Sequence, residues 1–242
     1  YLDGGRDYSK EELAALRDYV VVNLNELSET FERDENGYLL VGEGYGEKAR
    51  TAMNSLGTTY PQLSGYYPKP KQMIMSDFFS QQHMMGYYYP FSMEANYNTT
   101  MYVANYPATI CHELAHVKGL IYEDEANFVG YLACVESDDP FFRYSGYLSV
   151  LYYLEKDFKE SINKNSTIYM SHPVIADAVY VDSVFLTKEA WQDVEENAVL
   201  KTETGKKASN AFIETSLKVN GIADGMVSYS RVVELLLEYY DG

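Results

Sequence analysis

Helical periodicity governs this chain and is interrupted by one stretch that can hold only short extended segments. Ser9-Lys10-Glu11-Glu12 has the spacing of a capping box, and Leu13, Leu16, Val20, Leu24, Leu27 and Phe31 recur at helical intervals until residues 34–37 break them. A shorter helix is expected over 47–56. Pro61, Pro68 and Pro70, with Gly65, then exclude helix, and strands are expected at 72–75, 87–91 and 101–103. Beyond that region the helical pattern resumes, predicting helices over 107–118, 123–135, 144–162, 173–197, 208–219 and 226–240. A strand-containing part at about 57–106 followed by a helical part over 107–242 predicts an α+β fold, mostly helical with a small sheet. The 242 residues fit one domain, 1–242.

Composition narrows the partners. A formal net charge of -17 excludes a nucleic-acid backbone and disfavours anionic membrane surfaces, because both need clustered Lys and Arg. No apolar run reaches the roughly 18 residues of a membrane span, and the chain opens on Tyr1 with no charged-then-apolar leader. An excised piece of a longer protein is therefore expected. Cys111 and Cys134 form no C-x-x-C pair and are expected to be buried packing residues. The 25 tyrosines are expected mainly at the edge of the core, where an apolar face and a wet hydroxyl are both served.

Chemistry concentrates at His112-Glu113-Leu114-Ala115-His116, an H-E-x-x-H pattern on an expected helix. Histidines four apart project from one helical face and can share one ion. Zinc takes imidazole nitrogens at about 2.0–2.1 Å, and catalytic sites leave one position open beside three protein ligands. Glu113 is placed to activate water there. Gly119 ends the helix, so the chain turns back at once into Glu123, Asp124 and Glu125. These three suit the positive start of the next helix. Glu125 also heads a bulky apolar stripe of Phe128, Val129 and Leu132, where an unpaired carboxylate is costly and a metal would satisfy it. Glu125 is accordingly the expected third ligand, with Asp124, Glu123 and His172 as alternatives. His83 and His172 are otherwise read as ordinary hydrogen-bonded histidines.

Several blocks in one order resemble the bacterial family catalogued as domain of unknown function 3810: Leu63 to Pro68, Phe91 to Asn98, Cys111 to His116, Glu123 to Phe128, Tyr144 to Tyr147 and Asp224 to Tyr229. The resemblance implies a gluzincin-like, zincin-type fold with the sheet beside the H-E-x-x-H helix. It also implies an extracytoplasmic domain cut from a membrane-anchored parent, with the membrane reached only through a missing N-terminal anchor. The run Glu125-Ala126-Asn127 resembles the glutamate-bearing helix of gluzincins, which favours Glu125 as ligand. The aspartate such enzymes carry four residues later is replaced by Val129. By the same resemblance residues 87–98 would pair with an extended substrate, and Tyr229 and Arg231 would stabilise the oxyanion. The expected function is hydrolysis of peptide bonds in a peptide or protein substrate, using one zinc ion. The alternative is an inactive extracytoplasmic binding or scaffold domain that retains the zinc site, and a metal-free helical interaction protein is a further rival.

Overall fold

The computed structural model describes residues 7–196 and 229–241. Its elements are α1 (Lys10–Ser28), α2 (Tyr45–Thr59), β1 (Lys71–Gln72), α3 (Ser76–Ser80), β2 (Gly86–Tyr89), β3 (Glu94–Tyr97), α4 (Tyr106–Val117), α5 (Glu123–Val135), α6 (Pro140–Ser161), α7 (Ser166–Tyr169), α8 (Asp177–Asp182), α9 (Lys188–Glu196) and α10 (Tyr229–Asp241). The architecture is α+β and mostly helical, with one small three-stranded sheet.

Local chemistry sets the longest helices. Ser9 caps α1 by accepting a hydrogen bond from the Glu12 amide at 3.2 Å, while the Glu12 carboxylate takes the Ser9 amide at 2.7 Å. Asp139 caps α6 by accepting from the Phe141 amide at 2.9 Å, with Pro140 in the first turn, where its missing donor costs nothing. α1 and α6 pack together and are joined by fully buried Arg17, whose Nε donates to Glu155 Oε1 at 2.7 Å. A second buried knot surrounds Asp182 of α8. Arg33 donates to both its oxygens at 3.0 and 2.7 Å, and the Tyr102 and Tyr144 hydroxyls donate at 2.9 and 2.6 Å. Both carboxylates are paired on several sides, which offsets the cost of burying their charge.

The strand order is β1-β3-β2, with β1 parallel and β2 antiparallel to β3. Among the described residues β2 is therefore an edge. The expected strand at 101–103 is absent; the second pairing partner is β3, where Ala95 and Tyr97 point inward and Glu94 and Asn96 outward. Met101 and Tyr102 are buried instead by a tight turn leading into α4, with the Tyr102 amide donating to Phe185 O at 2.7 Å outside the sheet. The helix expected over 173–197 is two pieces, α8 and α9, split at residues 183–187, where the Thr187 hydroxyl accepts from the Ala190 amide at 3.1 Å. The expected helix at 208–219 lies outside the described residues.

α4 runs through the middle of this assembly, against α2, α5, α6, β2 and β3. Ile110, Cys111, Leu114 and Ala115 are buried in the core, which leaves a narrow polar strip of the helix for the cleft. Among the described residues no helix is long and apolar enough to cross a membrane.

Candidate metal centre

His112 and His116 lie one turn apart on the polar strip of α4, their Nε2 atoms 3.0 Å from each other. Gly119, in the left-handed region at φ +85°, turns the chain back so that α5 begins beside them. The first residue of α5, Glu123, puts Oε2 3.2 Å from His112 Nε2 and Oε1 3.7 Å from His116 Nε2. Four-coordinate zinc with bonds near 2.1 Å keeps neighbouring ligand atoms about 3.3 Å apart, so the donor set has the right span. Among the described residues these three are the group whose ligand atoms converge, all within 4.8 Å of one another.

Glu125 does not join them. It stands two residues past Glu123, about 200° round the helix. The face of α5 that meets α4 is a row of small residues, Ala126, Gly130 and Cys134, all buried. Phe128, the first of the bulky residues that made Glu125 look inward, packs on α10 instead, edge-on to Tyr239 at 6.0 Å, beside Tyr131, whose hydroxyl is 2.7 Å from that of Tyr240. Small residues permit direct backbone contact: a Cβ on Gly130 would lie 3.0 Å from the His112 amide nitrogen and 3.2 Å from Ala108 O. Asp124 is buried and faces Arg231, whose Nε is 2.9 Å from Oδ2. Arg231 is thus held by Asp124 and does not line the cleft. The side chain of Tyr229 lies outside the described residues. His172 pairs with Asp18 at 2.7 Å, and His83 packs on Phe185 and Trp191.

The electrostatics follow from burial and proximity. Burial would raise Glu123, but the hydrogen bond from His112 and the charges of both histidines outweigh it and hold it at about 2. Burial would lower His112, and its bond to Glu123 with the charges of Glu113 and Glu123 instead raises it. His116 is pushed down to about 4 by burial and by His112, against the pull of Glu123. Its Nδ1 sits 2.7 Å from Leu120 O, an acceptor that fixes the proton on Nδ1 and leaves the Nε2 lone pair facing the other ligands. Burial pushes the Glu113 carboxyl up to about 8, His112 pulling it down and Glu123 adding to the rise. Glu113 Oε2 and His112 Nδ1 are buried with no hydrogen-bond partner among the described residues. Two unsatisfied polar atoms beside a convergent donor set fit a bound cation and a water better than a closed core. Asn127, one turn beyond Glu123 on the same face, lines the same cleft and adds to the rise of the His112 pKa.

The edge strand covers the other side. A Cβ at Gly86 would lie 2.3 Å from Glu113 Oε1, so only glycine leaves room for the carboxylate. Tyr88 stacks on His116 with ring centroids 6.0 Å apart. The Asn98 amide donates to Met85 O at 2.8 Å, and alternation along the ladder leaves the backbone groups of Gly86 and Tyr88 facing the free edge. The whole opens into a cleft of about 840 Å³ that continues past Ser149 and Tyr152 on α6 to Lys159.

Sequence reasoning selected His112, Glu113 and His116, which stand together here. It weighed Glu123 only as an alternative, and it missed Asn127 and Gly86. The i, i+4 spacing of Glu123 and Asn127 was the available signal for both acid and amide; nothing local marks Gly86. No curated protein and no solved structure matches the chain. A family model described as a protein of unknown function, DUF3810, matches residues 4–237, so the chain belongs to the DUF3810 family.

Proposed function

We propose that this chain is a zinc-dependent peptidase of zincin type, in which His112, His116 and Glu123 hold one zinc ion and Glu113 serves as general base. The observation that carries the reading is the convergence of three donors beside a buried carboxylate, one of whose oxygens has no partner among the described residues. Zinc, when bound, would polarise a peptide carbonyl and lower the pKa of water. The chain's own residues supply the rest. Burial raises Glu113 to about 8 in the metal-free protein, and the charge of a bound cation would favour its ionised form, the one that takes a proton from water. Leu120 O orients the His116 imidazole through Nδ1. The free edge of β2, at Gly86 and Tyr88, offers an extended peptide the main-chain pairing that sets its carbonyl over the donors. Tyrosines and serines recur along the cleft and Lys159 is the one Lys or Arg in its lining, which suits a polypeptide better than a phosphate backbone. The family resemblance adds an extracytoplasmic setting beneath a membrane-anchored parent.

Metal analysis of protein purified without chelator tests the first half: near-stoichiometric zinc is expected, and His112→Ala and His116→Ala should each lose it. Full zinc in both variants would reject the ligand set. A broad peptide library tests the second half. Turnover that disappears in Glu113→Gln while zinc stays bound supports the peptidase. Zinc binding with no cleavage of any library member or unfolded protein favours the inactive binding domain instead.

A further inference from the structure

β2 carries an aromatic row on the face of the sheet turned away from α4. Alternation along the ladder puts Gly86 and Tyr88 on the α4 side, with Ala95 and Tyr97, and sends Tyr87 and Tyr89 to the other side, with Asn96 and Glu94. The Tyr87 and Tyr89 rings have centroids 6.2 Å apart, and Phe91, past the end of the strand, continues the row 5.6 Å from Tyr89. The row opens to solvent: Tyr89 is 43% exposed and Phe91 78%. The acid opposite Tyr89, Glu94, is already paired with Lys71. Proteins usually blunt an open edge with charge or proline, yet Gly86 to Tyr89 holds neither, and its free edge pairs with no described strand. The main-chain groups of Gly86 and Tyr88 face that edge, so an added antiparallel strand hydrogen-bonds at these two positions. Residues opposite Tyr87 and Tyr89 then take the non-hydrogen-bonded positions, where Cα atoms approach to about 4.5 Å and side chains touch most closely. The cleft beside the edge, about 840 Å³, has room for a short extended segment and none for a folded domain.

Resting on the reading of β2 as the strand that pairs with substrate, we infer that this edge selects extended polypeptide segments with aromatic or β-branched side chains at every second position, those beside Tyr87 and Tyr89. The rings supply apolar contact on one face of the bound strand, while Gly86 leaves the other face clear for Glu113. Aromatic residues pair favourably across strands with aromatic and β-branched ones. An acidic side chain at the same positions meets the negative faces of the rings. The selected segment is therefore one that alternates apolar with polar residues, as an unfolded β-strand sequence does.

The test measures binding, using zinc-loaded Glu113→Gln so that the peptide survives. The probes are end-blocked, fluorescently labelled peptides: Ser-Val-Ser-Tyr-Ser-Val-Ser, its all-serine counterpart, and the first peptide N-methylated at alternate amides in one register or the other. The alternating peptide should bind at least about 10-fold more tightly than the serine peptide, and N-methylation in one register alone should abolish its binding. Adding Tyr87→Ser with Tyr89→Ser should weaken the alternating peptide about 5-fold, as loss of two cross-strand pairs predicts, and leave the serine peptide and the zinc content unchanged. Tyr89→Ser alone, at a half-exposed position, should act in the same direction without lowering the melting temperature. Equal affinity for both peptides, with one N-methylated register still abolishing binding, overturns the selectivity and leaves edge pairing standing. No binding of any peptide, or affinity indifferent to the N-methylated register, removes edge pairing and the inference with it. A dimer of the peptide-free protein that Tyr89→Ser dissociates also overturns it, because the edge then belongs to a second copy.

Discussion

Glu123 and Glu125 stand two residues apart on α5, and only the first faces the histidines, so neutralising each separates the two assignments. Glu123→Gln should weaken zinc binding by about 10-fold or more in chelator competition, because it removes a charged ligand, while Glu125→Gln should leave affinity unchanged. Equal losses in both would return Glu125 to the ligand set. The pair also shows what a sequence can carry at this scale. His112, Glu113 and His116 are legible because their mutual spacing lies within one helix, whose geometry is fixed. The acid lies across a turn, and its choice depends on which face of α5 meets α4. Bulk at Phe128, Val129 and Leu132 argued for one face, and the small row through Gly130 occupies it, since close backbone approach outranked side-chain size. Asn127 and the carbonyl of Leu120 were equally hidden, one by the same choice of face and the other because any residue supplies a carbonyl.

Between elements, β2 and α4 are coupled through an atom that Gly86 lacks. Gly86→Ala should push the Glu113 carboxylate aside, since the nearest atoms belong to the flexible end of that side chain. The expected outcome is retained zinc and retained melting temperature with peptide cleavage reduced at least about 10-fold, consistent with misplacing a catalytic group by about an ångström. Zinc lost along with activity would mean that β2 supports the ligands instead of the base. Element types were largely readable: α1, α2, α4 and α5 fall where periodicity and caps place them, and β2 within the expected extended region. β3 was not, because Glu-Ala-Asn-Tyr lacks β-branched residues and is made a strand by pairing on both sides. The division of 173–197 into α8 and α9 was hidden for a similar reason, its break being set by contacts with Tyr102 and Asn105 from another part of the chain.

For the molecule as a whole, the candidate site and the core share one helix, so protonation of the site enters the stability of the fold. Between about pH 6.5 and 8 the folded, metal-free protein holds on Glu113, raised to about 8, a proton that the unfolded chain has released, and His112, also raised, acts in the same direction. Stability of the chelated protein therefore falls as pH rises through this window. His116, held at about 4, opposes this slope near pH 6.5, where an unfolded histidine is still half protonated, and contributes nothing towards pH 8. Zinc requires deprotonated ligands, so its affinity rises over the same range. The difference in melting temperature between zinc-loaded and chelated protein should widen from pH 6.5 to pH 8, and Glu113→Gln should flatten part of the chelated protein's decline. An equal difference at both pH values would separate the site from the fold.

The backbone contact at Gly130 works as a calliper for ionic radius. With a Cβ there already 3.0 Å from the His112 amide nitrogen, any larger residue must lever α5 outward and carry Glu123 with it. The jaws would then open by a few tenths of an ångström, a gap suited to cations with longer bonds to oxygen. Gly130→Ala should accordingly shift preference from zinc towards manganese or cadmium in competition titrations, which makes a residue with no donor atom of its own a determinant of which element the protein selects.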